Sequence, residues 1–146
     1  MKKLALLILG ITLLPIISFA QQPPGTDIYL FDLVFKKGKF VVTNSVNITD
    51  RKGYDNQPFF HPEKPFIYYA SADDEGRTDI VMYNHETGRT RNLTNTSERE
   101  YSPTVTPNKK FISCIIQRDN GAQDLGKYPI DGGDAEIIID NLTVGY

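Results

Sequence analysis

A stretch of 37 residues occurs twice in this chain, once at 47–83 and again, 45 positions later, at 92–128. The copies agree without a gap at Asn47/Asn92, Thr49/Thr94, Pro58/Pro103, Pro62/Pro107, Phe66/Phe111, Ile67/Ile112, Gly76/Gly121, Asp79/Asp124, Tyr83/Tyr128 and Gly88/Gly133. A repeat of this length, built from turn residues and β-branched or aromatic runs, matches a four-stranded propeller blade; helical repeats would show a 3.6-residue apolar period instead. The expected fold is therefore all-β: four-stranded antiparallel blades, about two of them complete, in an open and incomplete ring.

The repeat also marks the boundaries. Asp27-Ile28-Tyr29-Leu30-Phe31-Asp32 resembles Asp79-Ile80-Val81-Met82-Tyr83-Asn84, and Asn47-Ile48-Thr49 resembles Asn92-Leu93-Thr94, so residues 26–49 read as a half-blade. Residues 50–95 and 96–143 follow as full blades, and 144–146, with Gly145-Tyr146 matching Gly53-Tyr54, as the start of another. Residues 1–20 read as a cleaved signal peptide: Lys2 and Lys3, an apolar run over 4–17, and small residues at Ser18 and Ala20 before Gln21. That run is interrupted by Gly10 and Pro15 and is short for a membrane crossing, and 21–25 reads as a short linker. Cys114 is the single cysteine, which leaves neither a lipid-accepting Cys after the signal nor an intrachain disulfide. The mature product is expected to be exported, periplasmic or extracellular, without a stable membrane span.

Loss of Lys2 and Lys3 takes the formal charge from −2 to −4, with no basic block, which argues against nucleic acid or anionic lipid as partner. Within each copy the strands can be placed coarsely. In the first, 58–62 is expected to be a short inner strand with Pro58 and Pro62 at its ends, because proline cannot donate to a ladder. An apolar strand over 65–71, a turn at 73–76, a strand over 78–83, a turn at 84–88 and a polar outer strand over 89–93 complete the blade.

These residues resemble the TolB-like (WD40-like) β-propeller repeat. The likeness rests on Asn92-Leu93-Thr94-Asn95, Glu100-Tyr101-Ser102-Pro103, Pro107-Asn108-Lys109-Lys110-Phe111-Ile112 and Asp124. Its counterpart runs through Asn47-Ile48-Thr49, Asp55-Asn56-Gln57-Pro58, His61-Pro62-Glu63-Lys64 and Asp79-Ile80. It covers roughly 26–146. The usual Ser-Pro-Asp-Gly turn is His-Pro-Glu-Lys in one copy and Thr-Pro-Asn-Lys in the other, and Gly126-Lys127 stands where the first copy has Val81-Met82. The resemblance implies a non-enzymatic protein-binding or scaffolding module at the cell envelope, part of a longer propeller. Its missing blades would come from the rest of the chain or from other copies, since a closed ring needs about four to eight. The expected partner surface is Tyr54, Asp55, Asn56 and Gln57 with Glu100, Tyr101 and Ser102. An alternative is the N-terminal propeller piece of a prolyl-oligopeptidase-type serine peptidase, which needs a hydrolase domain not encoded in these residues.

Individual chemical motifs are weak. Gly121 to Lys127 has phosphate-loop spacing, but Tyr128 replaces the hydroxyl residue that would hold magnesium, and the segment sits in a hairpin. Asp73, Asp74, Glu75 and Asp79 crowd one turn in a manner that suits calcium but equally a solvated tip. His61 and His85 share no ligand spacing and read as surface or loop residues; Cys114 reads as a buried small hydrophobe. Asn47, Asn92, Asn95 and Asn141 open glycosylation sequons, three of which belong to the repeated Asn-Ile/Leu-Thr step. No catalytic residue, cofactor or metal site is expected.

Overall fold

The computed structural model describes residues 24–142. The signal peptide at 1–20, the first part of the linker and the blade start at 144–146 lie outside the described residues. All regular structure in the described chain is β. Strands β1 (Tyr29–Lys36) and β2 (Lys39–Asn47) form a two-stranded hairpin. β3 (Asp55–Phe60), β4 (Phe66–Ala72), β5 (Thr78–Asn84) and β6 (Arg89–Asn92) make the first four-stranded sheet in sequence order. β7 (Arg99–Val105), β8 (Phe111–Gln117), β9 (Gln123–Pro129) and β10 (Glu136–Leu142) make the second. Every pairing between strands is antiparallel. This is a half-blade followed by two blades, an open array with no closure between its ends.

The blades stack face to face. Tyr68, Ala70, Ile80 and Leu93 from the first blade bury against Val105, Ile112, Cys114, Ile116, Tyr128 and Ile130 from the second, with Phe66, Met82 and Tyr101 at the margin. On the other face of the first blade, Tyr69 and Val81 pack with Ile28 and Ile48 at the base of the hairpin. Alternate residues of β4 and β5 thus serve opposite faces, as the two-residue pleat requires, and both faces are apolar because each meets a neighbour. Burying an isoleucine of this kind contributes about 1.5–3 kcal/mol.

The repeated Leu-Thr step has a definite task. Thr94 Oγ1 accepts the Ile80 amide at 2.8 Å and lies 3.1 Å from Asp79 Oδ1, while the Leu93 amide donates to the Ile80 carbonyl at 2.8 Å. Thr49 does the same in the half-blade, accepting from the Ile28 amide at 3.1 Å and lying 3.2 Å from Asp27 Oδ1. In the half-blade and the first blade the step therefore pins the end of the outer strand to the start of its neighbour, beyond the reach of ladder hydrogen bonds. Asn47 Oδ1 also accepts the amides of Thr49 and Asp50, so its sequon is tied into the blade turn.

One strand boundary differs from expectation. Pro58 lies inside β3 rather than at its end, while Pro62 falls beyond it. The ladder to β4 slips between Asn56 and Phe59, with Gln57 at φ 56, so the missing proline donor coincides with a β-bulge. The second blade repeats the device: β7 slips between Tyr101 and Thr104, with Ser102 at φ 55 before Pro103.

Candidate functional site

The two bulged inner strands carry six of the seven residues expected at a partner surface, with Tyr54 just before the first, and the structure divides them. Asp55 and Glu100, which occupy the same repeat position, are 1% and 0% exposed, so neither belongs to an open surface as expected. Tyr54, Asn56, Gln57, Tyr101 and Ser102 remain half-buried beside them. The physical reason for the correction is that each carboxylate has a donor waiting four residues earlier.

In the first blade that donor is Arg51. Its guanidinium reaches Asp55 Oδ1 through Nη2 at 2.9 Å and Nε at 3.2 Å, and also donates to Ser71 Oγ and the Ala72 carbonyl, each at 2.7 Å. Thr26 adds a hydroxyl bond to the Asp55 carbonyl at 2.9 Å and bridges to the strand entry. In the second blade the equivalent of Arg51 is Thr96, whose hydroxyl donates to Glu100 Oε1 at 2.6 Å. The Tyr128 hydroxyl donates to the same oxygen at 3.0 Å, and Thr94 lies 3.4 Å from Oε2. Thr96 also donates its amide to Asp79 Oδ1 at 3.1 Å, so this network joins the two blades.

The two sites differ electrostatically. Burial without a facing cation pushes the Glu100 carboxyl above its usual range, against the downward pull of the Thr96 and Tyr128 hydroxyls, and Asp79 adds to the rise. Burial, reinforced by the Glu100 carboxyl, also raises the Tyr128 phenol. Beside the network lies a cavity of about 250 Å³ whose lining includes Thr96, Glu98, Arg118, Tyr128 and Asp134. Arg118 bonds Asp124 at 2.7 Å and Glu98 at 3.0 Å, and its bond to Asp124, joined by the Asn141 amide, holds the Asp124 carboxyl low.

Between the bulges, Gln57 Oε1 accepts the Ser102 amide at 2.9 Å, linking equivalent residues of adjacent blades. The left-handed turn at Ser102 withdraws that amide from the ladder, and the longer side chain of Gln57 supplies its acceptor. An ion pair between Glu63 and Lys109 and a bond from Arg91 Nη2 to the Ile130 carbonyl at 3.0 Å also cross the interface.

The remaining sequence candidates are placed as follows. Arg77 holds both Asp73 and Glu75, whereas Asp79 faces Thr94 and Thr96, so the four carboxylates do not converge. The segment from Gly121 spans the β8–β9 turn, with the Gly121 amide donating to the Arg118 carbonyl. Cys114 is buried in the inter-blade core, and burial pushes its thiol up. His61 stands in a loop, one of the two placements expected, and is buried there, its Nδ1 accepting the Glu63 and Lys64 amides at 3.0 Å, and burial lowers its pKa. Its counterpart Thr106 caps the equivalent turn by accepting the Phe111 amide. Sequence reasoning did not single out Arg51, Thr96 and Tyr128 as site residues; the signal present is that the aligned copies set Arg51 over Thr96 four positions before Asp55 over Glu100.

Comparison with known proteins agrees with the blade geometry. A solved structure from Agrobacterium tumefaciens, described provisionally as TolB, superposes with a TM-score of 0.61 at 13% identity. The likeness is one of fold: the described strands share the architecture of that structure. The match covers 83% of this chain and 51% of the other, so the chain spans about half the length of that solved chain. No protein-family model matches the sequence, and no curated protein does.

Proposed function

We propose that this chain is an exported, non-enzymatic module of the TolB-like propeller family that binds or scaffolds protein at the cell envelope, as part of a longer propeller. The observation that carries this reading is the blade array itself, whose fold likeness to TolB covers most of the chain. The inner-strand carboxylates are buried against donors of their own blades, and the half-buried Asn56, Gln57, Tyr101 and Ser102 beside them would meet a partner with the atoms not used between the blades. Tyrosine and amide side chains on a rigid edge suit protein recognition, offering large contact area and adaptable hydrogen bonding.

The test places a photo-crosslinking amino acid at Tyr101 in the producing cell and separates the periplasmic and medium fractions. A discrete adduct with one envelope or extracellular protein, lost when Asn56→Ala is added, is the expected result. Retention of the chain in the cytoplasm, or crosslinking unchanged by Asn56→Ala, would refute the reading.

A further inference from the structure

The first end of the array is apolar, and the other end carries apolar residues at the matching positions around a Lys127–Glu136 ion pair. On β1, Tyr29, Phe31, Leu33 and Phe35 alternate along one face, and β2 adds Phe40 and Val42; all six are at least 48% exposed. They form a continuous row, since Leu33 pairs with Val42, Phe35 pairs with Phe40 with rings 5.1 Å apart, and the Tyr29 and Phe31 rings are 6.4 Å apart. A solitary protein seldom leaves such a contiguous apolar face to water.

The internal repeat says what this face fits. Tyr29 and Phe31 stand where the first blade has Val81 and Tyr83, and the second has Gly126 and Tyr128. At those positions Tyr128 packs against the preceding blade, onto a face made by Phe66, Ala70 and Ile80. The equivalents of those three at the far end of the array are Phe111, Ile115 and Leu125 on the second blade, all partly exposed, with Ile139 level with Leu125 and 47% exposed. The far face thus resembles the surface on which a third strand of the next blade rests.

Charge follows the same geometry. The turn between β1 and β2 carries Lys36, Lys37 and Lys39, all exposed, and the corresponding turn between β9 and β10 carries exposed Asp131 and Asp134. In the existing blade interface the β9–β10 turn meets the outer strand of the preceding blade, because Arg91 of β6 donates to the Ile130 carbonyl. A hairpin laid on the second blade in the same manner brings the lysines beside the aspartates.

We propose that two copies of this chain associate head to tail, the β1–β2 hairpin of each resting on the outer face of the other's second blade, so that the pair closes a ring. Two copies supply four blades and two half-blades, within the range in which propellers close, and each spans about half of the solved chain it resembles. A head-to-tail contact either closes or grows into a filament, and closure at two copies covers both ends at once. The inference rests on the blade array and not on the envelope-partner reading, and its experiments read mass and pairing of the purified chain alone.

The purified chain should sediment with twice the chain mass, and Lys36→Glu with Lys37→Glu and Lys39→Glu should weaken association by about tenfold or more at low salt. Asp131→Lys with Asp134→Lys in the same chain should restore it. Orientation is read by mixing Lys37→Cys with Asp134→Cys chains under mild oxidation; Cys114 is 1% exposed and does not compete. A mixed disulfide in excess over either like pair is expected. A monomer at every concentration, its faces then awaiting further blades of a longer chain, overturns the proposal, as do a Lys37→Cys like pair or masses that grow beyond two copies.

Discussion

Gly126→Ala tests whether the second blade packs as described, because the added methyl has a defined obstacle. A Cβ at Gly126 falls 2.4 Å from Ile116 Cδ1 and 3.3 Å from Cγ1, while Ile116 is itself 1% exposed in the inter-blade core. Carbon atoms rest about 3.5–4.0 Å apart, so the Ile116 terminus must move by more than about 1 Å into neighbours that are already packed. Overpacking of this kind costs about 1–3 kcal/mol. The loss of unfolded-chain entropy on replacing glycine by alanine offsets about 0.4–1 kcal/mol, since the backbone here is not left-handed. The expected net destabilisation is about 1–2 kcal/mol. Ile116→Val removes the obstructing methyl at about 0.5–1.5 kcal/mol, and adding Gly126→Ala to that variant should cost nothing or stabilise. The coupling is therefore expected to exceed about 0.5 kcal/mol, the error of simple additivity between separate sites. Urea unfolding followed by far-UV circular dichroism and tyrosine fluorescence, at one fixed protein concentration, measures all four chains. Two additive substitutions, or a Gly126→Ala chain as stable as the parent, would refute the packing argument.

The Glu100 network predicts a pH dependence. Because the folded carboxyl titrates above the unfolded value of 4.5, the native chain holds a proton that the unfolded chain releases, so its contribution is complete below 4.5 and lost as pH rises through the folded value. Glu100→Gln should flatten that decline and gain stability relative to the parent as pH rises, measured by urea midpoints between mildly acid and neutral pH; parallel profiles would count against a raised Glu100. Arg51→Ala leaves the buried Asp55 without its cation and strips donors from Ser71 and Ala72. It should cost about 2–3 kcal/mol, below the about 3–5 kcal/mol for breaking a fully buried pair, because the guanidinium side chain is 35% exposed. Thr96→Ala should cost only about 1 kcal/mol, and equal losses at the two positions would undo the distinction drawn between the blades.

The period and turn chemistry made the blade order legible, and the polar pinning of strands explains why the Leu-Thr step recurs. Individual strand ends were less legible: Pro58 looked like a terminus because it cannot donate to a ladder, but the left-handed Gln57 before it lets the strand continue through a bulge. Exposure was harder still. Asp55 and Glu100 look like surface residues by type, and only the fold brings Arg51, Ser71, Thr94 and Tyr128 to positions that decide their burial. His61 reads as a loop histidine for the same reason, since its role as an acceptor for two turn amides depends on the loop closing around it.

The two blades differ in ways that balance in pairs. Where Asp55 meets Arg51, the longer Glu100 meets the shorter, uncharged Thr96, so the position keeps a hydrogen-bonded acceptor while its charge compensation changes. Where the first blade has Ser71 and Val81, the second has Ile116 and Gly126, and the larger Ile116 fills the space that Gly126 leaves. A position-by-position comparison counts each of these as a mismatch. Over the touching pair a larger side chain instead offsets a smaller one, and a buried carboxylate keeps a donor four residues earlier, which helps explain how blades with few identical residues stack alike. By the same reasoning a half-blade with Tyr29 and Phe31 in place of Val81 and Tyr83 needs a compensating change in whatever covers it. The smaller Ser113 that the second blade presents in place of Tyr68 supplies room of that kind on the opposite end of the array.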